Sequence, residues 1–125
     1  MTKSDLIDKA KQASENAYAP YSKFKVGAAL LTKSGKVFTG CNIENSSYGL
    51  SNCAERTAIF KAISEGEKKF KEMVIYTNTD KLFTPCGACR QVISEFSSNM
   101  KITIVSAKEI LETTIRKLLP YEFHL

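Results

Sequence analysis

Two short cysteine segments constrain the fold of this chain more than any other feature of its sequence. Cys53 stands two residues before Glu55, and Cys86 and Cys89 form a C-x-x-C pair. At the start of a helix, Cys86 and Cys89 would project from one face towards a common point. Three cysteine ligands leave zinc's fourth tetrahedral position open to water, whereas structural sites are closed by four protein ligands. The fold must therefore bring both segments together.

Glu55, in the first segment, is an acidic residue that is not required as a zinc ligand. We predict that it moves protons between the activated water and a substrate, as general acid and base. Cys53 lies at the start of a predicted helix, where exposed N–H groups and the positive dipole end stabilise a thiolate. Arg56, one turn further on, is placed to hydrogen-bond the sulfurs and offset their negative charge.

The fourth cysteine, Cys41, leaves a second metal hypothesis open. If it joined the other three, the site would be closed and structural rather than catalytic. Cys41 lies at a predicted strand end and has no C-x-x-C partner of its own. A buried, inert thiol is the common fate of such a cysteine. We therefore favour the open three-cysteine site, with the closed site as its rival.

Length and charge limit the architecture and the partners. The 125 residues, 43% hydrophobic and 25% charged, are typical of one globular domain, which we place at residues 1–125. The net charge of +5 comes from scattered lysines rather than a basic stripe, so no nucleic-acid partner is predicted. No signal core and no apolar stretch of ~20 residues is present, which predicts a cytoplasmic protein without a membrane segment. Cysteines in such a chain favour metal binding over disulfides.

Hydrophobic periodicity predicts strands that alternate with helices, which indicates an α/β layered sheet. One helix is predicted over residues 4–17 with a Ser4 cap, and a second follows caps at Ser51 and Asn52. Pro85 is predicted to open a third. Strands are predicted over residues 26–32, 36–39, 73–77 and 101–105, the first two forming a hairpin. Residues 109–119 suit a helix or a strand, and periodicity does not decide between them.

Beyond these motifs, the chain resembles the small, homotetrameric, zinc-dependent cytidine deaminase family. The similarity runs from Ala19 to Phe123 and is strongest in residues 20–29, 40–45, 53–58, 85–91 and 118–120. It implies a three-layer α/β/α fold with a five-stranded mixed sheet, including a short strand at residues 110–114. It also implies zinc-dependent hydrolysis of cytidine and deoxycytidine to the uridine analogues, with release of ammonia, in pyrimidine salvage.

The resemblance assigns roles to residues position by position. Asn42 and Glu44 match residues that hydrogen-bond the ribose 3′-hydroxyl, and Phe24 matches an aromatic residue that packs beside base and sugar. Ala54 matches a residue whose backbone meets the pyrimidine edge. The zinc ligands and the proton shuttle of the family match Cys53, Cys86, Cys89 and Glu55.

The resemblance also implies one zinc ion in each subunit, and it implies contacts between subunits. Phe123 matches a C-terminal aromatic residue that reaches into a neighbouring subunit's site. Tyr48 matches a residue near the subunit contacts. The chain departs from the family pattern after Val105, where the loop is short, and at its tail.

Three other functions compete with this interpretation. A deaminase of another small cytosine compound, such as an aminoacylnucleoside antibiotic, would not need the pair Asn42 and Glu44. A nucleic-acid-editing deaminase would need a basic groove with interleaved aromatic residues, and none is evident. A structural zinc module that binds a protein partner would leave Glu55 and Arg56 without a task.

Overall fold

Five strands and four α-helices make up the chain, and the computed structural model describes all residues 1–125. In chain order they are α1 (Lys3–Ser14), β1 (Val26–Thr32), β2 (Val37–Cys41), α2 (Ala54–Ser64), β3 (Phe70–Thr77), α3 (Gly87–Phe96), β4 (Lys101–Val105), β5 (Ile110–Thr114) and α4 (Ile115–Leu118). The sheet order is β2-β1-β3-β4-β5. Only β3 and β4 run parallel, so the predicted mixed five-stranded sheet is confirmed.

Alternate residues of β1 belong to two separate apolar clusters, one on each face of the sheet. Leu30 packs in the larger cluster with Ile59 of α2. Its neighbour Leu31 packs in the smaller cluster with Leu6 of α1. Because both faces are covered, successive side chains of β1 are apolar and no polar alternation appears. The predicted three-layer α/β/α arrangement is therefore confirmed.

Helix α1 begins and ends earlier than predicted. Thr2, not Ser4, is its cap: the Thr2 hydroxyl accepts a hydrogen bond from the Asp5 backbone N–H at 3.1 Å. The Asp5 carboxylate accepts one in return from the Thr2 N–H at 3.0 Å, which completes a capping box. The helix ends at Ser14 rather than at residue 17 because the chain then extends to pair with the loop after β2.

The helices that carry the cysteine motifs also begin at other residues than predicted. Cys53, rather than Ser51 or Asn52, is the N-cap of α2, because the backbone of Asn52 still pairs with an earlier part of the loop. Cys86, rather than Pro85, is the boundary residue of α3. Both cysteines have extended backbones directly before a helix, so each thiol lies beside unpaired N–H groups.

Gly40 allows α2 to lie directly on β2. A Cβ atom added at Gly40 would lie 2.6 Å from the carbonyl oxygen of Ala54 and 2.6 Å from the backbone nitrogen of Ala58. Both atoms are backbone and cannot rotate away, so the helix itself would have to move. The residue therefore sets the height of the α2 N-terminus above the sheet.

We expect Gly40→Ala to lower the free energy of unfolding by about 1–3 kcal/mol, the usual cost of overpacking. Urea denaturation measures this loss. Gly49→Ala is the control, because a Cβ there meets no atom within 4 Å; it should change stability by less than about 0.5 kcal/mol. Equal losses in the two variants would contradict the steric argument.

No helix of this chain has both the length and the apolar character that a membrane crossing requires.

Candidate metal centre and active-site cavity

Three cysteine sulfurs meet where the N-termini of α2 and α3 converge. The Sγ atoms of Cys53, Cys86 and Cys89 all lie within 4.8 Å of one another, and those of Cys53 and Cys86 are 3.9 Å apart. A tetrahedral zinc ion with Zn–S bonds of about 2.3 Å separates its sulfurs by about 3.8 Å. The donor set therefore fits one zinc ion. Cys41 is outside the cluster, as the open-site hypothesis requires.

A positive charge lies against this cluster of sulfurs. The Arg56 guanidinium donates a hydrogen bond to Cys53 Sγ at 3.3 Å. A hydrogen bond from the Cys89 thiol, together with Arg56, lowers the pKa of Cys53 to about 5 in the metal-free protein. The pKa of Cys89 is raised in turn, because its proton is held by Cys53 and its side chain is buried. These shifts favour a thiolate at Cys53, and the Arg56 guanidinium offsets part of its charge.

Glu55 lies in the first turn of α2, two residues after Cys53. It is only 4% exposed. Burial raises its pKa to about 7, and the negative charge of Cys53 adds to the effect. The carboxylate is not one of the clustered metal donors. A buried carboxyl group that titrates near neutral pH beside a metal site is a candidate general acid and base.

A cavity of about 570 Å³ opens over this centre, a size that suits a small-molecule ligand. The structure brings most of the predicted site residues into its walls: Phe24, Asn42, Glu44, Tyr48, Cys53, Ala54, Glu55, Arg56 and Cys86. Cys89 is fully buried at its edge, within the sulfur cluster. Segments far apart in the chain therefore form one site.

Asn42 holds the strand start that carries Phe24. Its side-chain oxygen accepts a hydrogen bond from the Val26 N–H at 2.9 Å, and its amide donates to the Phe24 carbonyl at 2.7 Å. An amide offers two N–H groups and two lone pairs, so one of each remains for a ligand. Asn42 therefore positions Phe24 and keeps some capacity to bind substrate.

Glu44 closes the turn before Phe24. One carboxylate oxygen accepts hydrogen bonds from the backbone N–H groups of Tyr21 and Ser22, at 3.0 and 3.1 Å. The other oxygen accepts from the Ser22 hydroxyl. These bonds, with the Ser22 hydroxyl contributing most, lower the pKa of Glu44. The group is therefore an ionised acceptor at the cavity wall.

Tyr48 and Phe123 protrude from the chain. Tyr48, in a short 3₁₀ helix over Tyr48–Leu50, is 86% exposed although it borders the cavity. Phe123 is 64% exposed and does not line the cavity of its own chain. Its carbonyl accepts a hydrogen bond from the Gln91 side chain at 3.1 Å, which attaches the tail to α3.

Arg90 is a positioning residue that the sequence analysis missed. Its guanidinium donates to the carbonyls of Pro85 and Leu118, at 2.7 and 2.6 Å, and to the Thr84 hydroxyl at 2.9 Å. The arginine thus fixes the loop that leads into Cys86 and ties it to the end of α4. Its position directly after the C-x-x-C pair could have indicated a role in holding the loop that carries Cys86.

Phe83 also lines the cavity and was not predicted. Its ring meets that of Phe24 edge-on, with centroids 4.8 Å apart and an angle of 68° between the planes. Phe83 lies in a loop without periodicity, so no local pattern marked it.

The chain is similar to zinc-binding deaminases, which is consistent with the cysteine cluster of this site. The family model described as the cytidine and deoxycytidylate deaminase zinc-binding region matches residues 1–106. A cytidine deaminase of Sporosarcina psychrophila is 53% identical over 120 residues, which cover 94% of this chain and 88% of that protein. The crystal structure of cytidine deaminase from Burkholderia pseudomallei has a TM-score of 0.94 and 48% identity, covering 98% of this chain and 100% of the other.

A more distant relative is named for a different substrate. The blasticidin-S deaminase of Bacillus cereus is 31% identical over 110 residues, covering 82% of this chain and 79% of that protein. All three proteins are named as deaminases. The chain therefore belongs to the family defined by the cytidine and deoxycytidylate deaminase zinc-binding region.

Proposed function

We propose that this protein is a cytidine deaminase, which hydrolyses cytidine and deoxycytidine to uridine and deoxyuridine and releases ammonia. The observation that carries this proposal is a buried carboxylate, Glu55, beside a three-sulfur centre at the base of a cavity. A zinc ion held by Cys53, Cys86 and Cys89 would supply a water activated near neutral pH. In a structural zinc module, a buried carboxylate that does not bind the metal would have no function.

Glu55 performs the proton transfers in this proposal. It takes a proton from water and delivers it to N3 of the pyrimidine, which makes C4 electrophilic. A bond forms between C4 and the water oxygen. Glu55 then takes the second proton of that oxygen to the exocyclic amine, the C4–N bond breaks, and ammonia leaves. Burial raises the pKa of Glu55 above that of an exposed carboxyl group, which suits it to both accepting and donating a proton.

The walls of the cavity provide the substrate contacts. Ala54, fully buried at the start of α2, presents its backbone to the pyrimidine edge. Phe24 packs beside base and sugar. Asn42 and Glu44 retain unused hydrogen-bonding capacity beyond their contacts with the segment 21–26, and they bind the ribose 3′-hydroxyl.

An absorbance assay of cytidine loss by the purified, zinc-loaded protein tests the proposal. We expect steady conversion to uridine with one ammonia released for each cytidine consumed. A protein that binds zinc but leaves cytidine unchanged would contradict the proposal and favour the structural module.

We expect 3′-deoxycytidine to be deaminated with a kcat/KM about 10- to 100-fold lower than that of cytidine. It lacks the hydroxyl that donates to the ionised Glu44, and hydrogen bonds to charged groups contribute roughly 1.5–3 kcal/mol. 2′-Deoxycytidine is the matched control and should be processed much like cytidine. Equal kcat/KM values for 3′-deoxycytidine and cytidine would contradict the roles of Asn42 and Glu44.

A second candidate is deamination of an aminoacylnucleoside antibiotic, which the 31% identity to a blasticidin-S deaminase favours. The ratio of kcat/KM for cytidine and blasticidin S separates the two. We expect cytidine to be the better substrate.

We further propose a homotetramer in which Phe123 completes a neighbouring subunit's cavity and Tyr48 lies at the subunit contacts. The wide exposure of both rings supports this. Sedimentation should give four times the chain mass of 13.9 kDa. Phe123→Ala should raise KM, and dilution to monomers should abolish turnover. A fully active monomer would contradict the shared site.

We place residues 1–125 in one catalytic domain that works in the cytoplasm, in pyrimidine salvage, without a nucleic-acid or membrane partner. A gel shift of single-stranded oligonucleotides by the protein would contradict this assignment.

A further inference from the structure

Phe83 is an exposed apolar ring beside the metal centre. It lies in the loop between β3 and α3, is 45% exposed, and lines the active-site cavity. It stands three residues before Cys86. Because each residue spans at most about 3.6 Å, their backbones lie within about 11 Å of each other. Phe83 and Cys86 both line this cavity, so the ring borders the space open to a substrate at the centre.

The core does not account for the position of Phe83. Its neighbour Leu82 packs against the larger apolar cluster, whereas Phe83 belongs to neither cluster. Instead it makes an edge-on contact with Phe24, at 4.8 Å between centroids. Two rings in this arrangement form an apolar wall of the cavity, which we call the aromatic wall (Phe24 and Phe83). The wall leaves ring surface free for a ligand.

The loop is attached to the fold on both sides of Phe83. On one side, the Thr79 carbonyl accepts a hydrogen bond from the Ala107 N–H at 2.7 Å. On the other, the Thr84 hydroxyl accepts one from Arg90 at 2.9 Å. A ring placed before the ligand arrives loses little conformational entropy on binding. The loop that presents Phe83 to the cavity is thus held by hydrogen bonds before a ligand binds.

We propose that Phe83 is a further substrate-contacting residue, whose ring extends the aromatic wall and packs against the nucleoside. The inference rests on the proposed cytidine deaminase function and adds a residue to it. Nucleobases present a flat π-face and favour aromatic partners. Because the ring makes no bond to C4 and exchanges no proton with the substrate, its packing strengthens ground-state and transition-state binding alike. Its loss should therefore appear in KM rather than in kcat.

Steady-state kinetics of the zinc-loaded, full-length Phe83→Ala variant test this inference. Base–aromatic stacking lost on alanine substitution predicts a KM for cytidine raised about fivefold or more, with kcat within about twofold of the wild type. Phe83→Leu should raise KM as well, since it keeps apolar volume but no ring. Phe83→Tyr retains the ring and should keep KM within about twofold.

Phe60→Ala is the matched control. Phe60 is 48% exposed on α2 and does not line the cavity, so its removal should leave KM unchanged. An unchanged KM in Phe83→Ala, with the wild type active on cytidine, would overturn the inference. So would an activity loss that comes with lost zinc, a lower Tm or a changed sedimentation coefficient, because these mark a structural or subunit-contact role. A wild-type protein inactive on cytidine would instead overturn the proposed function.

Discussion

Replacing Glu55 with glutamine is expected to remove nearly all cytidine turnover and to leave the zinc content at one ion per chain. A single general acid–base contact is worth about 10²–10⁴-fold in rate. In the proposed reaction Glu55 serves in more than one proton transfer, so the loss should reach or exceed the upper end of that range. Glutamine keeps the shape of the side chain and cannot carry a proton. Absorbance kinetics and metal analysis on one preparation measure both quantities.

Glu65→Gln is the matched control, because Glu65 is an exposed carboxylate at the other end of the same helix. It should leave turnover and zinc unchanged. A zinc-replete Glu55→Gln protein that retains more than about 1% of wild-type turnover would contradict the role of Glu55, since it would lose less than the lower end of the range for one contact.

The same substitution should stabilise the metal-free protein, which separates loss of catalysis from loss of fold. The pKa of Glu55 is raised from 4.5 to about 7, so between these values the folded state binds more protons than the unfolded state. Stability of the metal-free wild type therefore falls as pH rises through this range and stays lower above it. Glutamine has no charge to bury. At pH 8 metal-free Glu55→Gln should have the higher Tm, and the opposite order would contradict the buried-charge argument.

The second large effect is expected from Cys86→Ser, which should lose both zinc and turnover. Zinc binding by cysteine-rich sites contributes about 10–16 kcal/mol. If each of three ligands supplies a comparable share, loss of one weakens affinity about 10²–10⁴-fold. Cys86 is the most exposed cysteine of the cluster, so its replacement disturbs the core least. Competition with a chelator measures the affinity.

Cys41→Ser is the control for this prediction, because it makes the same chemical change at the cysteine outside the cluster. It should keep zinc and activity. Loss of zinc in Cys41→Ser would mean that a fourth sulfur binds the metal, and the open-site mechanism would then be wrong.

Features that depend on nearby residues were predictable from the sequence. The apolar runs of β1 and β4 predicted buried strands over residues 26–32 and 101–105, and both are present. The C-x-x-C spacing marked Cys86 and Cys89 as donors because residues three apart at a helix start face the same side, whereas residue type rather than spacing marked Cys53. The caps predicted for α2 were wrong because tertiary pairing keeps the backbone of Asn52 bridged to Ile43. The cap of α1 is instead a local capping box of Thr2 and Asp5, which the prediction of Ser4 missed.

The sequence alone thus determined which groups can hold a metal and move a proton, since that chemistry resides in residue type and short spacing. Tertiary structure decided how they meet. Cys53 and Cys86 are 33 residues apart, and their sulfurs converge because α2 packs closely on Gly40 while Arg90 ties the α3 loop to Leu118. The contact between Phe83 and Phe24 likewise joins loops distant in the chain. Such contacts follow from packing of the whole sheet, which no local pattern encodes.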